Sequence, residues 1–274
     1  MSVLSPDSLD AALAELALDP EQHVLAGGSD FMVEVNFDHR RPRSVLSLHR
    51  VAELRHWSSN SRGLALGAGV TCAELEREPF ALLAPALAQA ARTVGSPQIR
   101  NVATVGGNLC TGSPAGDLLP VLSALDATVV CASAGGTRRL PIHEFLVGPK
   151  RTDLRPGELV ARVELPVADG GQEFLKVGTR NAMVISVASV AMVQMGATVR
   201  IALGSVGPTV LRARAAEEWF GARGFDPSAI SELADCVAEE ARPIDDHRST
   251  AAYRRHAVRV CATRAAHRIF GAGS

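Results

Sequence analysis

Two glycine pairs flanked by polar side chains are the feature of this 274-residue sequence that most suggests chemistry. The first pair stands in AGGSD at residues 26–30, and the second stands in TVGGN at residues 104–108, with Asn108, Ser113 and Asp117 clustered around its C-terminal side. Consecutive backbone N–H groups in such turns can form a concave nest that binds phosphate without a lysine. Two nests that face each other could hold both halves of a pyrophosphate, and Asp117 could accept hydrogen bonds from ribose hydroxyls.

Glycine pairs also occur in ordinary tight turns, because glycine adopts positive φ angles at no steric cost. Each pair taken alone is explained by turn geometry. Taken together, and with the polar residues that follow the second pair, they also fit a ligand site. From the residues themselves, tight turns and a site for a dinucleotide-like anion both stay open.

Other common functional motifs are missing from the sequence. Gly67 and Gly69 lack the third glycine of a dinucleotide-binding fingerprint, no lysine follows a glycine run as in a P-loop, and GxSxG does not occur. The eight histidines and five cysteines show no ligand spacing, so we predict no metal site and no iron–sulfur cluster on this chain. Asp245, Asp246 and His247 stand between two predicted helices, where aspartates commonly cap, and we predict no catalytic residue.

The composition excludes several classes of partner. The 28 basic and 29 acidic side chains give a net charge of −1, which provides no electrostatic footprint for nucleic acid or an anionic membrane. Aromatic residues make up 4% of the chain, so stacking platforms for single-stranded nucleic acid are not expected. No apolar run is long enough to span a bilayer, and the first residues do not resemble a signal peptide. We therefore expect a cytoplasmic protein.

The elements that must position these residues are short strands and separated helices. Ser5 and Pro6 have the residue types of a helix N-cap and first position, which predicts a helix over residues 6–17. Thr71 and Glu74 have the spacing of a capping box. Further elements are predicted as helices over residues 81–94 and in most of the chain beyond residue 206, strands at 43–48, 64–68, 127–133 and 158–166, two strands around Gly196 within 187–206, and a domain boundary at 167–172. This pattern predicts an α+β fold and not a doubly wound sheet.

Three segments resemble the FAD-binding medium subunit of the molybdenum hydroxylases, the family that includes xanthine dehydrogenase and aerobic carbon monoxide dehydrogenase. The segments are AGGSDFMVEVN, IRNVATVGGNLCTGSPAGDLLPVLSALDATV and FLKVGTRNAMVISVASVAM. The resemblance implies a two-part FAD-binding domain of the molybdopterin-dehydrogenase type over residues 1–168. It also implies a small α+β C-terminal flavoprotein domain over residues 169–274, with FAD as the cofactor.

In this family the two glycine loops wrap the FAD pyrophosphate. The resemblance therefore implies these cofactor-binding residues: Val24, Leu25, Ala26, Gly27, Gly28, Ser29, Asp30 and Phe31 in the first loop, then Val94, Gly95, Thr104, Val105, Gly106, Gly107, Asn108, Ser113, Asp117, Val160 and Lys176. Asp117 matches an acid on the ribose side, Val160 a position that packs on the flavin, and Lys176 a lysine near the isoalloxazine ring. Without the resemblance, Val160 would be an ordinary core residue and Lys176 a solvated strand end.

The resemblance implies an oxidoreductase whose FAD-carrying chain transfers electrons within a multi-subunit assembly. Molybdopterin is expected on a large partner subunit and [2Fe–2S] clusters on a small one, with NAD or another terminal acceptor and no membrane span. Xanthine dehydrogenase is the nearest type, and a carbon monoxide dehydrogenase-type medium subunit is the alternative within the family. Two alternatives outside this function are an autonomous flavin oxidase or reductase and a non-enzymatic nucleotide-binding scaffold. The basic run Arg254, Arg255, Arg259, Arg264 and Arg268 could be a docking surface or a solvated helix face.

Overall fold

The computed structural model of the chain describes residues 2–61, 63–166 and 168–271. Within these ranges the strands form a three-stranded, a five-stranded and a four-stranded sheet and a two-stranded hairpin. The strands are β1 (Ser2–Leu4), β2 (His23–Leu25), β3 (Ser44–Ser47), β4 (Trp57–Asn60), β5 (Gly63–Gly67), β6 (Thr128–Ser133), β7 (Gly136–Pro141), β8 (Leu146–Gly148), β9 (Arg151–Thr152), β10 (Leu159–Leu165), β11 (Gln172–Val177), β12 (Ala188–Met195), β13 (Thr198–Gly204) and β14 (Leu211–Arg212). The α-helices are α1 (Leu9–Leu18), α2 (Phe31–Asn36), α3 (Cys72–Leu75), α4 (Phe80–Leu83), α5 (Pro85–Thr93), α6 (Pro97–Arg100), α7 (Val105–Thr111), α8 (Leu118–Ala124), α9 (Ile142–Phe145), α10 (Arg214–Gly221), α11 (Ile230–Glu240) and α12 (Ala251–Phe270).

Two sheets build the N-terminal half of the molecule. The three-stranded sheet is parallel with the order β1-β3-β2, and the five-stranded sheet is antiparallel with the order β4-β5-β10-β6-β7. Helix α1 packs against β3 and β6, and its buried residues Ala12, Leu13 and Leu16 join the core shared by both sheets. The small parallel sheet carries the first glycine loop, because that loop follows β2 directly.

The four-stranded antiparallel sheet of the C-terminal half is covered on both faces. Along β12, Val190 and Met192 belong to the core formed with α10, α11 and α12. Ala191 and Val193 belong to the core of the N-terminal half, where α5 and α8 pack on the sheet. Successive strand residues point to opposite faces, so a strand between two helical layers is apolar at most positions. The sheet therefore joins the two halves through a continuous apolar contact.

The predicted α+β architecture is confirmed, and so are the strands near 43–48, 64–68, 127–133 and 158–166 and the pair around Gly196. The Thr71 capping box is also present, with Thr71 Oγ1 accepting from the Glu74 N–H and Glu74 accepting from the Thr71 N–H. Strands β1, β4, β7, β8, β9, β11 and β14 were not predicted as such. The predicted boundary segment 167–172 includes Val167, which lies outside the described residues together with Met1 and the last three residues of the C-terminal domain range.

Two predicted helices are wrong in their extent. The first begins at Leu9 and not at Pro6, because Ser8 is the N-cap and its side chain accepts from the Ala11 N–H at 3.2 Å. The predicted helix over 81–94 is divided into α4 and α5 at Pro85. Proline has no N–H and restricts the residue before it, so one helix ends at that point and another begins with proline in its first position.

Candidate functional site

The first glycine loop exposes a row of backbone donors. It follows β2, turns at Gly28 (φ 74°) and enters α2 at Phe31. Among the hydrogen bonds of the described residues, none is donated by the backbone N–H groups from Gly27 to Phe31. Buried or half-buried N–H groups normally have partners, and consecutive free ones form an anion site. The loop therefore presents the consecutive free donors that the predicted nest requires.

The second segment lies against the first. A Cβ atom on residue 27 would stand 1.6 Å from the carbonyl oxygen of Val102, so only glycine fits there. Val102 lies two residues before the TVGGN segment that contains the second glycine pair. The close backbone approach thus brings together two segments that are about 75 residues apart in sequence.

The second glycine pair is not a nest but the first turn of helix α7. Thr104 caps this helix, and its Oγ1 accepts from the Gly107 N–H at 3.0 Å. The N–H of Val105 donates to Val70 O at 2.9 Å and that of Gly106 to Ala68 O at 2.8 Å. These donors already have protein acceptors, so the N–H groups of the second pair are not free in the way that those of the first loop are. Gly106 is required instead by packing, because a Cβ there would stand 2.6 Å from the Ala68 Cβ.

Two buried oxygens beside α7 have no hydrogen-bond partner within the described parts of the chain. They are Asn108 Oδ1, on α7 itself, and Asp117 Oδ1, at the start of α8. A buried polar atom without a partner costs about 1–3 kcal/mol, so such atoms in a native structure need an explanation. Both belong to the residues that the resemblance assigns to a cofactor, and hydroxyl groups of a ligand would satisfy them.

Asp117 forms a buried ion pair with Lys176 of β11. Lys176 Nζ lies 2.6 Å from Asp117 Oδ2, and each side chain is only 7% exposed. Burial raises the pKa of the Asp117 carboxyl above its ordinary value, and the Lys176 ammonium acts against that shift. The interpretation of Lys176 as a solvated strand end is therefore wrong. The pair joins the two halves of the molecule at the candidate site.

The turn after α5 completes this region. Lys176 Nζ also donates to Thr93 O at 3.1 Å, just before Val94 and Gly95. Gly95 has φ 48°, and the Arg100 guanidinium donates to the carbonyl oxygens of Val94 (3.3 Å) and Gly95 (3.2 Å). The sequence analysis did not single out Thr93, whose carbonyl accepts from Lys176 and whose side chain acts against the rise in the pKa of Asp117.

Ser113 and Val160 occupy structural positions near α7. Ser113 closes the turn before α8, since its Oγ accepts from the Ala115 N–H at 3.3 Å and its carbonyl from the Gly116 N–H at 2.8 Å. Val160 is 4% exposed in β10, and the neighbouring Ala161 carbonyl accepts from the Ala68 N–H. Strand β10 is thereby placed beside β5, and β5 packs on α7.

The β8–β9 hairpin contributes a residue that the sequence analysis did not single out. The Lys150 N–H donates to Gly112 O at the end of α7 (3.0 Å), and Lys150 Nζ lies 3.7 Å from Glu34 Oε1 on α2. Arg40 also pairs with Glu34 at 2.6 Å and lies 5.4 Å from the Phe31 ring centroid. Two basic side chains therefore lie beside the helix that follows the first loop and pair with the same glutamate. The sequence signal that could have indicated Lys150 is the GPK turn. In the structure this turn holds Lys150 at φ 53°.

The basic run on α12 is mostly engaged within the protein. Arg254 is buried, Arg259 pairs with Asp235, and Arg268 pairs with Glu173 at 3.0 Å. The interpretation of this run as one docking surface is not supported for these three residues. A large part of the run stabilises the C-terminal half.

Asp245 and Asp246 accept backbone hydrogen bonds, as predicted. Asp245 accepts from the Ala251 N–H, and Asp246 Oδ1 from the N–H groups of Arg248 (2.8 Å) and Ser249 (3.1 Å). These bonds help to lower the pKa of Asp246 to about 2. Across residues 2–61, 63–166 and 168–271, no cluster of three His, Cys, Asp or Glu side chains could hold a metal ion, and no helix has the length and apolarity to cross a membrane.

Two known protein families match this chain, one in each half. Residues 1–168 match the family model described as the FAD binding domain in molybdopterin dehydrogenase. The chain belongs to this family. Residues 173–269 of this flavoprotein subunit match a second model, described as the CO dehydrogenase flavoprotein C-terminal domain.

Individual relatives match this flavoprotein subunit over nearly its whole length. It is 30% identical to the glyceraldehyde dehydrogenase medium chain of Sulfolobus acidocaldarius, with 96% of each chain covered. It is 29% identical to the putative xanthine dehydrogenase FAD-binding subunit of Escherichia coli, covering 92% of this chain and 90% of the relative. Its structure is similar to that of quinoline 2-oxidoreductase from Pseudomonas putida 86, with a TM-score of 0.92, 26% identity, and 99% and 97% of the two chains covered.

These findings confirm the predicted family, the fold, the class of oxidoreductase and FAD as the cofactor. The chain is the FAD subunit of an enzyme of the molybdenum hydroxylase family, of the xanthine dehydrogenase or carbon monoxide dehydrogenase type. The residues fit this cofactor, because the donors from Gly27 to Phe31 are free and the oxygens of Asn108 and Asp117 lack partners. When bound, FAD supplies electron transfer between one- and two-electron partners.

Proposed function

We propose that this chain binds FAD between its two glycine segments and conducts electrons from a [2Fe–2S] cluster on a small partner subunit to a terminal acceptor. The observations that carry the proposal are the free N–H groups at Gly27–Phe31, the close approach of Gly27 to Val102, and the unpartnered oxygens of Asn108 and Asp117 in the segment that follows. A site with donors for an anion and acceptors for hydroxyls matches the two kinds of polar group in a dinucleotide.

We assign the role of each part of the site from this geometry. The first loop, Val24 to Phe31, holds the pyrophosphate through its N–H groups. Helix α7 contributes the Asn108 side chain, while its glycines allow close backbone packing on Ala68 and on the first loop. Asp117 accepts from cofactor hydroxyls with Oδ1 while Lys176 neutralises Oδ2. The chain has no acid–base task in this scheme, since its residues bind, orient and neutralise.

The remaining members of the site provide its walls. Val94 and Gly95 form the turn that the Lys176–Thr93 bond holds near Asp117, and Val160 provides apolar surface for the ring system. We place the boundary of the FAD-binding domain at residue 168 and assign residues 169–274 to the C-terminal flavoprotein domain. Lys176 then comes from the second domain, which supports a cofactor held between the two.

We propose that substrate choice and molybdopterin reside on a large partner subunit. Relatives of nearly equal identity carry the names of glyceraldehyde dehydrogenase and xanthine dehydrogenase, which supports a shared electron-transfer subunit with different substrates. The five cysteines are free, which is consistent with residence in the cytoplasm. All of them lie outside any metal-ligating cluster within the described sequence.

The first experiment is an absorption spectrum of the purified chain, followed by heat release and chromatography of the cofactor. We expect flavin bands near ~450 nm and a released species that elutes as FAD. A chain purified without cofactor should bind added FAD and discriminate against riboflavin, which lacks the pyrophosphate that the first loop holds. A colourless protein that does not take up added FAD would refute the proposal and favour a scaffold role.

The electron path is tested separately with the assembled enzyme. Electrons from the substrate should reduce the flavin only when the iron–sulfur subunit is present. Absorbance at the flavin band after rapid mixing measures this reduction. Flavin reduction by substrate in the isolated chain would contradict the proposed path and indicate an autonomous oxidoreductase.

A further inference from the structure

Arg254 is a buried cation at the point where two strands of the C-terminal sheet meet helix α12. Its residue exposure is 3%, and its Nη1 donates to the carbonyl oxygens of Val187 (2.7 Å) and Ser205 (2.8 Å). Its Nη2 donates to Asp246 Oδ1 at 2.7 Å, which neutralises the guanidinium. One side chain thus holds the start of β12, the end of β13 and the segment that precedes α12.

The Ser205 contact leads toward Asp117. Ser205 has φ 63°, a left-handed conformation that a non-glycine residue adopts only when its surroundings hold it there. Its carbonyl accepts from Arg254, and its N–H donates to Pro114 O at 2.8 Å. Pro114 lies in the turn that the Ser113–Gly116 hydrogen bond closes just before Asp117.

The Val187 contact leads toward Lys176. The Val187 carbonyl accepts from Arg254, and the Val187 N–H donates to Val177 O at 2.8 Å. Val177 directly follows Lys176 in β11 and pairs with Ala188 of β12. Both members of the Asp117–Lys176 pair are therefore linked to the same guanidinium by backbone hydrogen bonds, through Ser205 and Pro114 to the turn before Asp117 and through Val187 and Val177 to Lys176.

We propose that Arg254 is a positioning residue for the cofactor site: through Ser205 and Val187 it keeps the Asp117 carboxylate and the Lys176 ammonium in register with each other. The inference rests on the proposed FAD site. A planar guanidinium suits this task, because its fixed donors reach several acceptors at once, whereas a lysine ammonium is a compact point charge on a flexible stem. Arg255, exposed on the same helix, has no such contact among the described residues.

The test compares FAD dissociation constants of the full chain, measured by flavin fluorescence quenching. Arg254→Lys keeps the charge but loses part of the hydrogen bonding, and we expect about 10-fold weaker binding of FAD. Val258→Ala is the matched control, because Val258 is fully buried in the C-terminal core and touches neither strand end through a polar bond. It should lower the melting temperature but leave the dissociation constant unchanged.

A double variant separates positioning from general stability. Asp117→Asn removes the carboxylate that Arg254 is inferred to align, so Arg254→Lys should add little to the loss of affinity caused by Asp117→Asn. Asp246→Asn gives a second route if Arg254→Lys fails to fold. It keeps an oxygen for the local N–H groups but removes the charge that holds Nη2, and it should weaken FAD binding in the same direction.

Three results would overturn the inference. They are an unchanged dissociation constant in Arg254→Lys, multiplicative effects of Arg254→Lys and Asp117→Asn, or an equal loss of affinity in Val258→Ala. These results require that the wild-type chain binds FAD. A wild-type chain that does not bind FAD would instead refute the proposed function, and this inference with it, so the two failures are distinguishable.

Discussion

Replacing Lys176 by methionine removes the cation from the buried pair and is the sharpest test of the site's electrostatics. The substitution keeps most of the side-chain volume but leaves Asp117 without its partner at 2.6 Å. It also removes the bond from Nζ to Thr93 O. Because both side chains of the pair are 7% exposed, water cannot replace the lost interactions without opening the contact between the two halves.

The expected loss of unfolding free energy at pH 7 is about 3–5 kcal/mol, the usual cost of removing one member of a buried ion pair. In a protein of this size that corresponds to a fall in melting temperature of about 6–20 °C. The control is Arg139→Met, which breaks the ion pair of Arg139 with Glu164. Arg139 is 56% exposed in that pair, and exposed pairs contribute only about 0–1 kcal/mol.

The loss should depend on pH in a defined direction. Burial already raises the pKa of Asp117, and without Lys176 only the hydrogen bond with the Thr93 side chain acts against that shift. The folded variant therefore keeps a proton on Asp117 at pH values where the unfolded chain, with a carboxyl pKa near ~3.9, has released it. The free energy of unfolding then falls as pH rises from about 4, by at most ~1.4 kcal/mol per pH unit, until the carboxyl ionises in the fold.

Urea unfolding between pH 4 and pH 8, followed by circular dichroism and tryptophan fluorescence, measures this dependence. Trp57 and Trp219 report on the N-terminal and C-terminal halves, and both transitions should move because the pair joins the halves. Lys176→Met combined with Asp117→Leu should recover much of the stability, since an apolar pair leaves no buried charge. A loss below about 1 kcal/mol with no added pH dependence would refute the reasoning and indicate a solvent-screened pair.

Two further predictions concern the backbone that shapes the site. Gly27→Ala should abolish FAD binding and lower the melting temperature, because its Cβ would collide with the Val102 carbonyl. Gly221→Ala is the control and should be tolerated, since a Cβ there has open space. A Gly27→Ala chain that binds FAD and has normal stability would disprove the close approach. Thr104→Ala should lower the free energy of unfolding by about 0.5–2 kcal/mol through loss of the α7 cap, while Thr104→Ser should retain the cap. Equal urea midpoints for the two variants would contradict the capping role.

Local sequence patterns predicted much of the secondary structure and pointed to residues that carry the free donors and unpartnered oxygens of the candidate site. Strand periodicity and glycine turns identified the β12–β13 pair, and the Thr71–Glu74 spacing identified a capping box that the structure contains. The clustering of polar residues around the second glycine pair indicated a ligand site as one possibility, and the resemblance of three segments indicated which ligand. These signals act over a few residues, where a given spacing in the sequence corresponds to a defined distance in the structure.

The roles of those residues depended on contacts that no local pattern contains. The sequence could not distinguish the first glycine pair, whose N–H groups are free, from the second, whose N–H groups donate to Ala68 and Val70 and to the Thr104 side chain. It also placed Lys176 near the flavin only by resemblance and could not pair it with Asp117, which lies 59 residues earlier. Whether a donor, an acceptor or a charge is available to a ligand depends on which distant groups the fold brings within hydrogen-bonding distance, because each such group is either satisfied by the protein or left for the cofactor.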